Sequence, residues 1–386
     1  MSLTHRKPAS WTVRLAAVFL MLAGLHAAYG QNPQPIPWNP THILAVIHAP
    51  SRFYDAKAIS AHRGVYNKTD CPENSACALT SAHLYPVESF EIDAKPDAQG
   101  SLWASHDLTL GRMGILSFNP QTGEGFNPPI KYMQPRDLFF IHLIALDKFD
   151  RRYVTGQKMM TVADLAYLHH HEQGSVMLID LKTMGDLSSA AAAAAPMQDT
   201  FGAYVLKISA DEISREGITH FRTAFTRGLA WAPTLYAPML DSIYLREASG
   251  VGDTSPQEYI RIFIDKMVAE PGYQYIEIGN KAYGDPTWFA LEDASIQQRG
   301  RGQFVPVPEA VDSKGPGYYM SNGVCCAHLN DPALWAKTQF FGNEYKDTRE
   351  NLQGAIDIYN FILTDAITPA INITSSEGTR RTRYYQ

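Results

Sequence analysis

Cysteine is scarce in this chain, with four in 386 residues: Cys71, Cys77, Cys325 and Cys326. No histidine stands at finger-like spacing from them, and His328 alone is too little for a zinc site. There is no basic excess either. Lys and Arg number 33 against 39 Asp and Glu, a formal net charge of -6. Binders of nucleic-acid backbones usually show a basic face, so this balance argues against nucleic acid as the main partner. A Gly-rich phosphate loop after the first apolar strand is missing, which counts against a doubly wound open sheet. Beyond residue 30, no apolar run reaches membrane-spanning length.

The long apolar run that does exist lies at the N-terminus. His5, Arg6, Lys7 and Arg14 accompany an apolar core over residues 15–25, and Ala28 and Gly30 stand at the spacing a signal peptidase prefers. Residues 1–30 are therefore expected to be a signal peptide, which makes the protein secreted or periplasmic. The alternative is a membrane anchor, for which the run is short. Export permits disulfides. Cys71 and Cys77 flank Pro72-Glu73-Asn74 and can staple that loop. Bridges to Cys325 and Cys326, or a strained vicinal pair between those two, stay open, since four cysteines allow three pairings.

What remains is long enough for a large core. Residues 31–56 are Pro-rich, carry a short helical pattern over 41–48, and are expected to pack on one end of the domain. Short apolar strands are expected at 58–61, 87–94, 102–105, 176–181, 204–208, 229–235, 275–278, 304–307 and 359–363, with helices between most of them. Among the helices are 74–83, 162–170 (capped by Thr161), 187–197, 211–223, 256–269, 287–298 and 331–340. Strands followed by helices point to parallel βα units, and the length suits a (β/α)8 TIM barrel over residues 57–372. Residues 107–160 are Gly-, Pro- and Asn-rich without clear periodicity, which reads as a small inserted cap after the second strand. Residues 373–386 read as a flexible tail.

The chemistry-bearing residues fall at the ends of the strands. Glu91 and Asp93 sit at alternate positions of VESFEIDA and so point the same way. Two carboxylates side by side among apolar neighbours repel, and a divalent cation between them relieves this. Asp180 and Lys182 repeat the spacing at a later strand end. Asp180 can complete an all-oxygen site that suits Ca²⁺ or Mg²⁺, and Lys182 can hold an anionic substrate oxygen. His62 and His106 are the candidate general acid and base. Arg63 offers a fork for phosphate oxygens. The bland readings are solvated edge-strand charges, a local Asp180–Lys182 pair and structural histidines.

These motifs together resemble the glycerophosphodiester phosphodiesterase family: HRG at 62–64, PEN at 72–74, ExD at 91–93, HD at 106–107, and LGR ending at Arg112. The resemblance is dense over residues 60–112, continues at 178–182, and ends on the Ile-Leu-Thr-Asp run at 362–365. It implies a (β/α)8 barrel with one divalent cation, Ca²⁺ or Mg²⁺, held by Glu91, Asp93 and Asp180. His62 and His106 would be catalytic, and Arg63 and Lys182 would contact phosphate. Glu73 and Asn74 would support the metal end of the pocket. The family commonly has Glu where this chain has Asp180, and a Gly-containing stretch where it has Tyr85-Pro86-Val87-Glu88. The Asp and the Cys71/Cys77 loop are similar to the related sphingomyelinase D enzymes, which lack PEN.

The expected function is metal-dependent hydrolysis of glycerophosphodiesters to glycerol phosphate and an alcohol. A sphingomyelinase D-like action on choline (lyso)phospholipids is the alternative, followed by a non-catalytic phosphodiester-binding protein. The expected partners are a small glycerophosphodiester or a lipid head group, with peripheral membrane contact and a monomeric chain. His169, His170 and His171 read as a charged cap at the end of a surface helix. Glu277 reads equally as a substrate contact at the pocket mouth or a structural pair.

Overall fold

The computed structural model describes residues 40–48, 56–66, 70–119, 124–146, 152–172, 175–181, 204–217, 230–236, 256–279, 303–306, 353, 356, 361–364 and 367–378. The expected signal peptide, Lys182, Cys325 and Cys326, and the helices expected at 187–197, 287–298 and 331–340 lie outside them.

In chain order the strands are β1 (Ala58–Ala61), β2 (Ser89–Pro96), β3 (Leu102–Ala104), β4 (His142–Leu146), β5 (Arg152–Lys158), β6 (Val176–Asp180), β7 (Tyr204–Ser209), β8 (Trp231–Tyr236), β9 (Ile276–Gly279), β10 (Gln303–Pro306) and β11 (Phe361–Thr364). Among the described residues, eight of them run parallel in the order β1-β2-β6-β7-β8-β9-β10-β11. Pairing of β1 with both β2 and β11 closes the ring. The helices are α1 (Pro40–His48), α2 (Ala76–Leu84), α3 (Gly111–Gly114), α4 (Pro135–Leu138), α5 (Val162–Glu172), α6 (Ala210–Glu216), α7 (Pro256–Val268) and α8 (Ile367–Ser376). This is the expected α/β (β/α)8 barrel. Among the described residues no helix is long and apolar enough to cross a bilayer.

Alternation along each strand divides the core in two. Ile59, Phe90, Ile92, Met177, Ile179, Leu206, Ile208 and Ile276 face the helices in the larger cluster. Ala58, Val176, Leu178, Val205, Ala232, Tyr275, Phe361 and Leu363 form the second, where Ile43 and Ile47 of α1 join them. The parity of this second set is that of Glu91, Asp93, Asp180, Lys207, Thr234 and Glu277. All six are buried. The barrel lumen is thus apolar along one part of its length and charged along the rest.

Three expectations need correction. β3 is not a barrel strand. It pairs antiparallel with the outer end of β2, Lys95 opposite Trp103, across a turn in which Asp97 accepts from the backbone N–H of Gln99 and Ser101 and from the Trp103 indole. The chain stays ordered past 372, because α8 runs to Ser376 and buries Ile373 and Thr374. His169 is no surface cap. It is 4% exposed, stacks on His83 with ring centroids 5.4 Å apart, and meets the Phe90 edge at 5.1 Å. Burial, with the nearby His83, holds its pKa down at about 4.

The insertion has a fold of its own. β4 and β5 form an antiparallel hairpin, and a small core gathers Trp103, Leu110, Met113, Ile130, Leu138, Leu143 and Met159. Arg152 fastens the hairpin to the preceding loop by donating to the carbonyls of Gly111, Arg112 and Ile115 at 2.7, 2.7 and 3.2 Å, and to that of Phe118.

Candidate active site

The first histidine stands on an unusual turn. After β1 the chain passes His62 and then enters the left-handed region at Arg63 (φ 55°) and Gly64 (φ 81°). A Cβ at position 64 would lie 2.8 Å from the Cβ of Ala78, so glycine is required for α2 to pack this closely. The His62 N–H donates to the Thr364 carbonyl of β11 at 3.2 Å, which fixes the residue at the barrel rim.

The PEN turn comes next. Cys71 and Cys77 are bonded to each other, so the loop is stapled as the sequence allows. Asn74, also left-handed at φ 55°, makes a reciprocal pair with Asp93. Its Nδ2 donates to Asp93 Oδ2 at 2.9 Å, and its Oδ1 accepts the Asp93 N–H at 2.9 Å. Ser75 then caps α2 by accepting from the Ala78 N–H at 3.1 Å. Asn74 therefore orients one of the carboxylates.

Glu73 belongs to a buried ionic network. Arg112 donates to Glu73 at 2.6 and 3.2 Å and to Asp107 at 2.6 and 3.1 Å. Arg63 donates to Glu73 at 3.1 Å, and its Nε lies 3.6 Å from Asp93. Burial works to raise the Glu73 pKa, but Arg112 and Arg63 override it and hold the group at about 2. Asp107 lies well below its ordinary value because Arg112 and His106 outweigh its burial. The His106 Nδ1 is 2.9 Å from Asp107 Oδ1. An ionised carboxylate can only accept, so Nδ1 carries the proton and Nε2 is the basic nitrogen of the ring. The sequence reading gave neither Asp107 nor Arg112 a role.

The carboxylates meet in the lumen. Asp93 of β2 is in register with Asp180 of β6, and Glu91, Asp93 and Asp180 each offer an oxygen within 4.8 Å of the others. Oxygen ligands of Ca²⁺ stand about 2.3–2.6 Å from the ion, so such a trio can share one cation. The fit has independent support in Glu91, whose Oε2 is buried without a hydrogen-bond partner. Burial, helped by Asp180 and Asp93, pushes the Glu91 pKa up to about 7 against the pull of Lys207 and His62. Burial disfavours Asp93 ionisation too, yet His106 and Arg63 hold it well below the usual carboxylate range. His62 thus acts on Glu91 and His106 on Asp93, which sets the two histidines beside the same trio.

One lumen residue escaped the sequence reading. Lys207 of β7, in register with Asp180, is fully buried. Its Nζ lies 3.0 Å from Glu91, 3.3 Å from Asp180 and 2.6 Å from Glu277. These are ion pairs by distance rather than aligned hydrogen bonds. They settle Glu277 as a buried partner of Lys207 instead of a residue at the pocket mouth. The pocket over His106 is lined by Glu73, Asn74 and Ser105 on the barrel side. On the cap side it is lined by Leu110, Met113, Leu143 and Met159.

No family model matches the chain. A stretch of 157 residues, 38% of the chain, is 30% identical to the uncharacterized protein y4eD of Sinorhizobium fredii and spans 40% of that protein. Among solved structures, a glycerophosphoryl diester phosphodiesterase of Parabacteroides distasonis is 14% identical. Its TM-score is 0.54, over 88% of this chain and 93% of that one. A Silicibacter pomeroyi protein assigned to the same activity is 12% identical, with a TM-score of 0.55 over 87% and 98%. At such identities the likeness is one of architecture: the chain has the barrel fold of the glycerophosphoryl diester phosphodiesterases.

Proposed function

We propose that the protein is a secreted or periplasmic, monomeric, metal-dependent phosphodiesterase that hydrolyses glycerophosphodiesters to glycerol phosphate and an alcohol. The observation that carries this reading is the buried Glu91–Asp93–Asp180 trio with His62 and His106 beside it. The fold likeness to the phosphodiesterase of Parabacteroides distasonis supports it. A bound Ca²⁺ or Mg²⁺ would supply positive charge to a phosphodiester oxygen. Arg63, held in place by Glu73, and Lys182 add to that charge. One histidine takes the proton of the nucleophile, either water or the neighbouring glycerol hydroxyl, as its oxygen bonds to phosphorus. The other gives a proton to the departing alkoxide as the P–O bond breaks.

Chelation tests the metal part. EDTA should lower turnover of glycerophosphocholine about 10²-fold or more, and added Ca²⁺ or Mg²⁺ should restore it. Activity indifferent to EDTA would remove the cation from the mechanism. Sphingomyelin and lysophosphatidylcholine belong in the same assay, read for choline and glycerol phosphate. The apolar cap wall over His106 favours the sphingomyelinase D-like reading enough to require this comparison. Choline release from sphingomyelin with no action on glycerophosphocholine would make it the better one.

The cap also offers a place for membrane contact. Phe139 and Phe140 are 56% and 69% exposed, with ring centroids 5.5 Å apart. Lys158 Nζ lies 5.4 and 6.0 Å from the two rings, and Lys131 lies 4.9 Å from the exposed Tyr132 ring. Aromatics interleaved with lysines suit an anionic bilayer surface. The protein should co-sediment with phosphatidylglycerol vesicles and not with pure phosphatidylcholine, and F139S/F140S should weaken that at least about tenfold. Equal binding by the double variant would rule this face out.

A further inference from the structure

A lysine inside a barrel lumen needs a reason. Among the described residues, the same inner face carries apolar residues such as Val205, Ala232 and Tyr275 and the buried acids Glu91, Asp93, Asp180 and Glu277. Lys207 stands among carboxylates on three sides, from β2, β6 and β9. Its distances to Glu91, Asp180 and Glu277 make its ammonium the meeting point of three acids, which is the placement of a cation. Glu91 spans two such points. Its Oε1 lies on Lys207, and its Oε2 is the buried oxygen without a hydrogen-bond partner. The group able to hold an ion consists of Glu91, Asp93 and Asp180, and Glu277 is not part of it.

We propose that Lys207 is a fixed occupant of a second cation position. Its ammonium holds Glu277 and one oxygen each of Glu91 and Asp180. The lumen then takes up one divalent cation, at Glu91, Asp93 and Asp180, where four acids would otherwise accommodate two. Lys207 supplies one positive charge to the lumen carboxylates Glu91, Asp180 and Glu277, and a single divalent ion at Glu91, Asp93 and Asp180 would supply two more. The lysine also answers a folding problem. Buried like charges repel strongly in a medium of low polarity, and a covalently attached cation lessens that repulsion before any ion arrives. Lys207 is thus a positioning residue: it sets how many ions the site holds and keeps the empty site folded. This inference rests on the cation-site reading proposed above.

The test is metal content per chain, by elemental analysis after equilibration with Ca²⁺ or Mg²⁺, together with thermal unfolding with and without EDTA. The full chain is used as wild type, Lys207→Met and Glu277→Gln. Wild type should bind one ion per chain and unfold cooperatively in EDTA. Lys207→Met should bind two ions, lose stability in EDTA, and recover it when the cation is returned. Wild type with no ion at all would defeat the cation-site reading itself. Wild type with one ion, and folded Lys207→Met also with one, would overturn this inference alone. If Lys207→Met fails to fold even with Ca²⁺ or Mg²⁺, Glu277→Gln decides. Retention of one ion at wild-type affinity supports the separate roles of the two positions, and loss of that ion places Glu277 among the ligands and overturns them.

Discussion

Replacing His106 by Ala should lower turnover by about 10²–10⁴-fold while leaving the melting temperature near that of the wild type. The reasons are local. The ring is 8% exposed and faces a pocket walled by the cap. Its Nδ1 is anchored on an ionised Asp107, which fixes the tautomer and makes Nε2 the atom for proton transfer. Asp107 is anchored in turn by Arg112, so little ring motion is left to spoil the geometry. His62→Ala should cost a comparable factor, because its charge acts on Glu91 of the same trio and its backbone is pinned to β11. Either variant keeping near wild-type turnover of glycerophosphocholine, with the fold intact by circular dichroism, would take that histidine out of the mechanism.

Arg112→Leu should destabilise the protein by about 3–5 kcal/mol, the usual cost of leaving buried charges without their partner. The guanidinium is 3% exposed and serves both Glu73 and Asp107. Its loss leaves Asp107 dependent on His106, and Glu73 on Arg63. The pH dependence has a definite sign. Glu73 is depressed from 4.5 to about 2, so its ionised form adds stability that is full above its unfolded value and is lost as pH falls toward 2. The gap between wild type and Arg112→Leu should therefore narrow in acid over that window, because a protonated Glu73 no longer needs the arginine. Denaturant unfolding at neutral pH and at about pH 3 checks this. A gap that stays constant, or widens in acid, would show that the arginine acts by packing and not by charge.

Much of the frame could be read from the chain because a parallel barrel buries both faces of its strands. Runs such as VMLID and YVLKIS therefore appear as near-continuous apolar stretches, and the acids at their ends stand out. The same property hid Lys207. A lysine within an apolar run looks like an edge-strand charge, yet in a strand buried on both faces it must lie in the lumen or among the helices. That signal was present and went unused. α8 was missed for another reason. Its sequence, ITPAINITSS, is rich in β-branched residues and contains Pro369, which has poor intrinsic helicity. Packing of Ile367, Ala370, Ile373 and Thr374 holds it. The cap hairpin escaped because its attachment depends on one side chain, Arg152, finding backbone carbonyls some forty residues earlier, which no periodicity records. The Cys71–Cys77 staple was one of the pairings the sequence left open, and the PEN motif marked Asn74 without indicating Asp93 as its partner.

The cap has its own small core, and among the described residues Arg152 ties it down through main-chain carbonyls. The acids able to share an ion, by contrast, stand on strands of the closed ring. A carbonyl is present whatever the side chain, so the clasp itself asks nothing of the side chain at Ile115, whereas Arg112 is held by Glu73 and Asp107 and Gly111 by its close approach to Phe118 and Asn127. Under the function proposed above, side-chain changes at cap positions such as Leu143 and Met159 would reshape the wall over His106 without touching the lumen acids.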